Sequence, residues 1–239
     1  MLAVSGLSKR FGGFLAVNRV SFDVRQGEIL GLIGPNGSGK STTFNLISGN
    51  LRPSQGSIRF EGTEIAGLAS HLVCRHGIAR TFQVPRPFRK LSTIDNVALA
   101  AFYGKPGMAS RAQARHTAEE VLDLVGLREG ATIEGLGAAA LKKLELARAL
   151  ATRPRLLLAD ESLGGLDTTE MERISDIFQD IRARMGITII WVEHIMRVLM
   201  RVVDRVIVLD HGEKIFEGLA KDAVHDERVI EVYLGRRRT

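Results

Sequence analysis

The chain has 239 residues, 45% of them hydrophobic and 25% charged, enough to bury the core of one globular unit carrying an inserted subdomain and too apolar for a disordered chain. No apolar run approaches the roughly 18 residues of a membrane span, and the opening "MLAVSGLSKRF" lacks the apolar stretch of a secretory leader, so a cytosolic protein is expected. Cys74 is the single cysteine, which excludes an internal disulfide and a cysteine-based metal site. The net charge of +6 favours acidic partners such as nucleotides, nucleic acid or anionic lipid head groups, but the basic residues are spread along the chain. Only the terminal "GRRRT" forms a run, read as a solvated tail.

In chain order, the first strong local signal follows the segments "LAVSGLSKRF" and "FLAVNRVSFDV". Ile29 to Ile33 form a short apolar run that reads as a buried strand, and Gly34 to Ser41 then fit G-x-x-x-x-G-K-[ST] with every fixed position filled. Gly34, Pro35, Asn36, Gly37, Ser38 and Gly39 would turn backbone N–H groups toward phosphate oxygens, and a helix beginning near Lys40 adds its positive end. Lys40 supplies a charge for the β- and γ-phosphates, Ser41 supplies a hydroxyl for Mg²⁺, and Thr42 follows in the first turn.

Further along, "QVPRPFRKL" has two prolines and three basic residues and reads as an exposed loop. In "RAQARHTAEEVLDLVGL", Ala114, Ala118, Val121, Leu122 and Val125 share one helical face. From Leu141 the residues Leu144, Ala147 and Ala151 continue an amphipathic helix, but its entry is Gly137 followed by three alanines where a capping Ser, Thr, Asp or Asn is usual. The run "RLLLAD" ends in Asp160 and Glu161, two acids at the carboxyl end of a buried strand. Asp160 would hold Mg²⁺ through water, and Glu161 would polarise the water that attacks a γ-phosphate.

These residues resemble, over nearly the whole chain, the ATP-binding subunits of ABC transporters. The resemblance implies an α/β fold, a P-loop NTPase (RecA-like) core with an antiparallel β subdomain and an inserted helical subdomain. It implies ATP and Mg²⁺ as cofactors and hydrolysis as the activity. It also implies that Phe11 stacks on adenine, that Gln83 in "ARTFQ" reaches Mg²⁺ and couples to membrane subunits, and that "GGLD" at 164 to 167 is the D-loop. His194 in "WVEHIM", after the apolar strand "ITIIWV", corresponds to the switch histidine near the γ-phosphate. Residues 136 to 140 occupy the place of the family signature L-S-G-G-Q, which caps the ATP held by a second subunit in a head-to-tail dimer. Here they read Leu136, Gly137, Ala138, Ala139 and Ala140. The serine hydroxyl and the glutamine are missing and Ala139 adds a Cβ, while the backbone N–H groups of Gly137 and its neighbours remain for a weakened contact.

The division the resemblance implies is a nucleotide-binding core of residues 1–85 and 154–239, with "LAVSGLSKRF" and "FLAVNRVSFDV" as strands of an antiparallel β layer, around a helical subdomain of residues 86–153. The partners implied are transmembrane permease subunits and a second ABC ATPase subunit, as homo- or heterodimer, at the cytoplasmic face of the membrane. No nucleic-acid partner is expected, since ABC proteins that act on nucleic acid or the ribosome usually carry two ATPase units or a long coiled-coil insertion. Within the family, "GIARTFQVPRPFRKLSTIDNVALA", "RFGGFLAVNRVSF" and "VIEVYLG" look like the branched-chain amino-acid (LivG-type) importers. Relatives serving urea or lipopolysaccharide, a weakly active regulatory subunit and a non-transport ABC protein remain the alternatives.

Overall fold

A computed structural model describes residues 1–104, 110–193 and 195–234. His194 and the basic tail lie outside the described residues. In chain order the strands are β1 Leu2–Phe11, β2 Phe14–Val24, β3 Ile29–Ile33, β4 Gln55–Phe60, β5 Thr63–Glu64, β6 Ile78–Arg80, β7 Leu156–Asp160, β8 Thr188–Val192, β9 Arg205–Asp210 and β10 Glu213–Gly218. The helices are α1 Lys40–Ile47, α2 Ser70–Arg75, α3 Thr93–Gly104, α4 Arg111–Leu124, α5 Ala138–Ala151, α6 Thr168–Met185, α7 Met196–Leu199, α8 Ala220–Ala223 and α9 Glu227–Leu234. The chain divides into two compact units, residues 1–73 with 188–239, and residues 74–187.

The first unit holds two sets of strands. Strands β2, β1, β4 and β5 make an antiparallel sheet in that order, with Leu2 opposite Val24 on one side and Phe60 on the other. The antiparallel layer expected of the two amino-terminal segments is present as the β1–β2 pairing, and β4 and β5 extend it. Strands β9 and β8 flank β3 in parallel, and β10 returns antiparallel to β9. Every residue of β3 and β8 is buried, which is why these segments read as continuous apolar runs and not as alternating ones. Gly31 lies at the middle of β3 because a Cβ there would come 2.9 Å from the Leu199 side chain. Arg205 closes the lower end of this layer by pairing with buried Glu28.

The second unit is built on the parallel pair β6 and β7, with Ile78 opposite Leu156 and Arg80 opposite Leu158. Between residues 86 and 153 the described elements are helical, apart from an isolated bridge between Ser92 and Thr132. Helices α3, α4 and α5 pack on one another. Ala114, Ala118, Val121, Leu122 and Val125 are all buried, as the spacing requires. Ser110 caps α4 by accepting from the Gln113 N–H, and Asp167 caps α6 in a capping box with Glu170. By contrast α5 starts at Gly137 with no side-chain cap.

Candidate functional site

The glycine-rich loop of residues 34–41 lies in the first unit, between β3 and the first turn of α1. Leaving β3, Gly34 adopts φ +147°, and a Cβ there would sit 2.1 Å from the Leu209 carbonyl oxygen, so only glycine fits. Gly39 has φ +103°, and a Cβ there would meet the Ala16 carbonyl at 2.7 Å. Lys40 is buried, and its Nζ donates to the Gly34 and Pro35 carbonyls at 2.8 and 2.9 Å. Asn36 and Gly37 are exposed at the crest of the loop, Ser41 is exposed and Thr42 half-buried in the first turn of α1. Ser38 Oγ is buried and has no hydrogen-bond partner among the described residues. A tight backbone, a buried ammonium and an orphaned hydroxyl suit an anion with several acceptor oxygens. Phe11, at the end of β1, is 46% exposed, and Lys9 Nζ lies 5.0 Å from its ring centroid, leaving ring surface for a flat partner.

One contact to the loop had no signal in the sequence. Tyr233 on α9 bonds to the Gly34 backbone; burial raises its phenol pKa and this hydrogen bond partly offsets the rise. A cavity of about 640 Å³ lies between Pro35 to Ser38 and the α9 residues Arg228 and Glu231, with His211 at its rim.

The acidic residues lie in the second unit. Asp160 ends the buried strand β7, and its Oδ2 is 2.7 Å from Arg80 Nη2, with both side chains under a tenth exposed. The Asp160 N–H donates to Thr81 Oγ1 at 3.2 Å. Sequence reading missed Arg80, whose place follows from register: it ends β6 opposite Leu158, two residues before Asp160. Glu161 has φ +42°, a left-handed conformation costing a non-glycine residue about 1–3 kcal/mol. Its carboxylate accepts from Gln83 Nε2. The two neighbouring acids thus serve different partners, Asp160 a guanidinium and Glu161 an amide. Within the second unit the side-chain oxygens of Gln83 and Asp160 are hard donors of the kind that suit Mg²⁺, and the exposed Ser41 hydroxyl of the first unit is another such donor.

Gln83 opens an exposed loop that runs to Lys90, as expected for "QVPRPFRKL". Its outer surface combines exposed Phe82, Val84 and Phe88 with Arg86, Arg89 and Lys90. The loop is held by α5. Arg148 donates to the Arg86 carbonyl at 2.8 Å and lies over the Phe88 ring, and Glu145 accepts from the Arg86 and Phe82 backbones. Burial pushes the Glu145 carboxyl up, and Arg148, 2.9 Å away, followed by those backbone donors, pulls it partly back.

At the start of α5, Gly137 is exposed with φ −71° and ψ 173°, the extended geometry of a capping residue, and a Cβ there would meet nothing within 4 Å. Gly137 to Ala140 line a cavity of about 300 Å³ with Lys143, Glu170 and Arg173. The amino end of the helix therefore opens into space bordered by two cations and one acid.

Residues 17–164 match the ABC transporter family, and the chain belongs to that family. Among curated relatives, the high-affinity branched-chain amino acid transport ATP-binding protein BraF of Pseudomonas aeruginosa is 34% identical, and the LivG protein of the same description from Escherichia coli K12 is also 34% identical. Each alignment covers 98% of this chain and 98% of the relative. Among solved structures, the ADP conformation of an ATP-binding cassette of an ABC transporter is 28% identical, covers 99% of both chains and superposes with a TM-score of 0.88. A nucleotide-free ATP-binding cassette gives 0.87 at the same identity and coverage. The protein is thus an ATP-binding ABC transporter ATPase, with the α/β cassette fold expected from its sequence.

Proposed function

We propose that the chain powers the import of branched-chain or related amino acids. The observation that carries this is the end-to-end match to BraF and LivG, which extends through the Gln83 loop and α9. The partners in this reading are transmembrane permease subunits, which meet the exposed apolar and basic loop of residues 83–90, and a second ATPase subunit. Among the described residues no helix is long and apolar enough to cross a membrane, which supports peripheral attachment through those permeases. Residues 86–153 serve as the helical subdomain and the remainder as the nucleotide-binding core.

In this mechanism Gly34 to Ser41 cradle the triphosphate, with Lys40 leaving its loop carbonyls for phosphate oxygens, and Phe11 stacks on adenine. Ser41, Gln83 and Asp160 would hold Mg²⁺, which neutralises phosphate charge when bound. Gln83 releases Glu161, which orients the attacking water and takes its proton, and His194 assists at the γ-phosphate. Purifying the chain with its permeases and measuring leucine uptake into vesicles tests this reading. ATP-dependent uptake supports it, and movement of urea or lipopolysaccharide instead assigns the chain to another cargo.

The bare Gly137 cap favours a second reading beside this one, in which the site that this chain completes for its partner is weak, while a partner subunit with an intact signature completes the site holding Lys40, Glu161 and His194, where most of the turnover takes place.

A further inference from the structure

We infer that Lys142 is a positioning residue that holds the backbone of Glu161. It lies on α5, one turn beyond Ala138, half-buried, and none of the family motifs read from the sequence includes it. Its Nζ donates to the Glu161 carbonyl at 2.9 Å and reaches the Gln83 carbonyl at 3.4 Å. A single ammonium therefore bridges the backbones of the two residues whose side chains also bond to each other. The bridge falls where it is needed, because Glu161 is held at φ +42° and a strained conformation persists only when its surroundings fix it. The Glu161 carbonyl belongs to the first peptide plane after β7, so holding it restrains the backbone that carries the carboxylate.

An ammonium suits this task. It has three donors and no acceptor, so it can serve two carbonyls at once, and a guanidinium can also span two acceptors, while a thioether side chain of similar length cannot. Lys142 follows the cap of α5 by five residues, so the same helix that presents Gly137 to Ala140 at its amino end carries the tether of Glu161 on its next turn. Movement of the helix is transmitted to the acid through one hydrogen bond.

This inference rests on the reading of Glu161 as the residue that orients water, and the experiment separates the two. Lys142→Met and Lys142→Arg are made in the full chain and compared for turnover, KM for ATP, melting temperature and amide hydrogen exchange at residues 161–163. For Lys142→Met we expect exchange at those amides to rise about tenfold and kcat to fall about tenfold, with KM within twofold of the parent. Lys142→Arg should recover at least a third of the parental kcat. Unchanged exchange in Lys142→Met overturns the inference, as does an equal loss in both variants accompanied by a lowered melting temperature. Full turnover in Glu161→Gln, with exchange still raised in Lys142→Met, removes the catalytic reading of Glu161 and leaves the tether standing.

Discussion

Gly137→Ser combined with Ala139→Gly tests whether α5 begins as a weakened phosphate contact. The structure permits the change, since Gly137 is exposed, already has capping geometry, and would meet nothing within 4 Å of a new Cβ. Replacing a glycine cap by serine stabilises a helix by only a few tenths of a kcal/mol. Glycine in place of Ala139 in the first turn costs up to about 1 kcal/mol. The net effect on stability is therefore small and unfavourable. A restored hydrogen bond to a charged phosphate contributes about 1.5–3 kcal/mol, roughly a tenfold to hundredfold gain. Stability and activity should thus move in opposite directions, which separates a repaired ligand contact from a better-capped helix. The assay is steady-state phosphate release by the purified chain alone, alongside its thermal melt. We expect turnover to rise about tenfold or more while the melting temperature holds or falls slightly. Parental turnover together with parental ATP-dependent dimerisation would refute the reasoning and leave the alanines as mere helix.

Four further outcomes are expected. Lys40→Ala should abolish ATP binding measured by isothermal titration, and unchanged affinity would displace the site from this loop. Glu161→Gln should retain ATP binding but lower hydrolysis by about 10²- to 10⁴-fold, judged by phosphate release from a complex containing the variant. Gly34→Ala should prevent recovery of folded protein, because the new methyl has 2.1 Å to the Leu209 oxygen at φ +147°; a variant with parental melting temperature contradicts that geometry. The last concerns pH: folding raises the Glu145 pKa, so its contribution to stability is present below the ordinary glutamate range and lost as pH rises through the raised value. Glu145→Gln, which does not titrate, should therefore gain on the parent in urea midpoints as pH is raised from about 4 to about 7, and a gap that stays constant across that range would show that the carboxyl is not perturbed.

The sequence made some of this plain for physical reasons. The five buried residues of β3 and the glycines after it leave little conformational choice, so strand, loop and helix follow from local chemistry. The α4 stripe and the irregular Gln83 loop were equally readable, the one from spacing and the other from its prolines. Long-range partners were not. Arg80 meets Asp160 across 80 positions of sequence and Tyr233 meets Gly34 across nearly the whole chain, and neither residue carries a local pattern that betrays its partner. Lys142 looked like one more solvated lysine on an amphipathic helix, because its role depends on two carbonyls that sequence does not display.

The grip of α5 on the Gln83 loop has an evolutionary corollary. Lys142, Glu145 and Arg148 take hold of main-chain atoms at Phe82, Gln83 and Arg86. The exposed side chains of Val84, Arg86, Arg89 and Lys90 are left out of that polar fastening, so they are at liberty to diverge, whereas Phe88 is tied to Arg148 through its ring. A mounting that clasps the backbone and, of the projecting side chains, meets the Phe88 ring through Arg148 works as an adaptor socket. Successive mutations can refit the outward face to a different docking partner while the fastening to the engine stays the same.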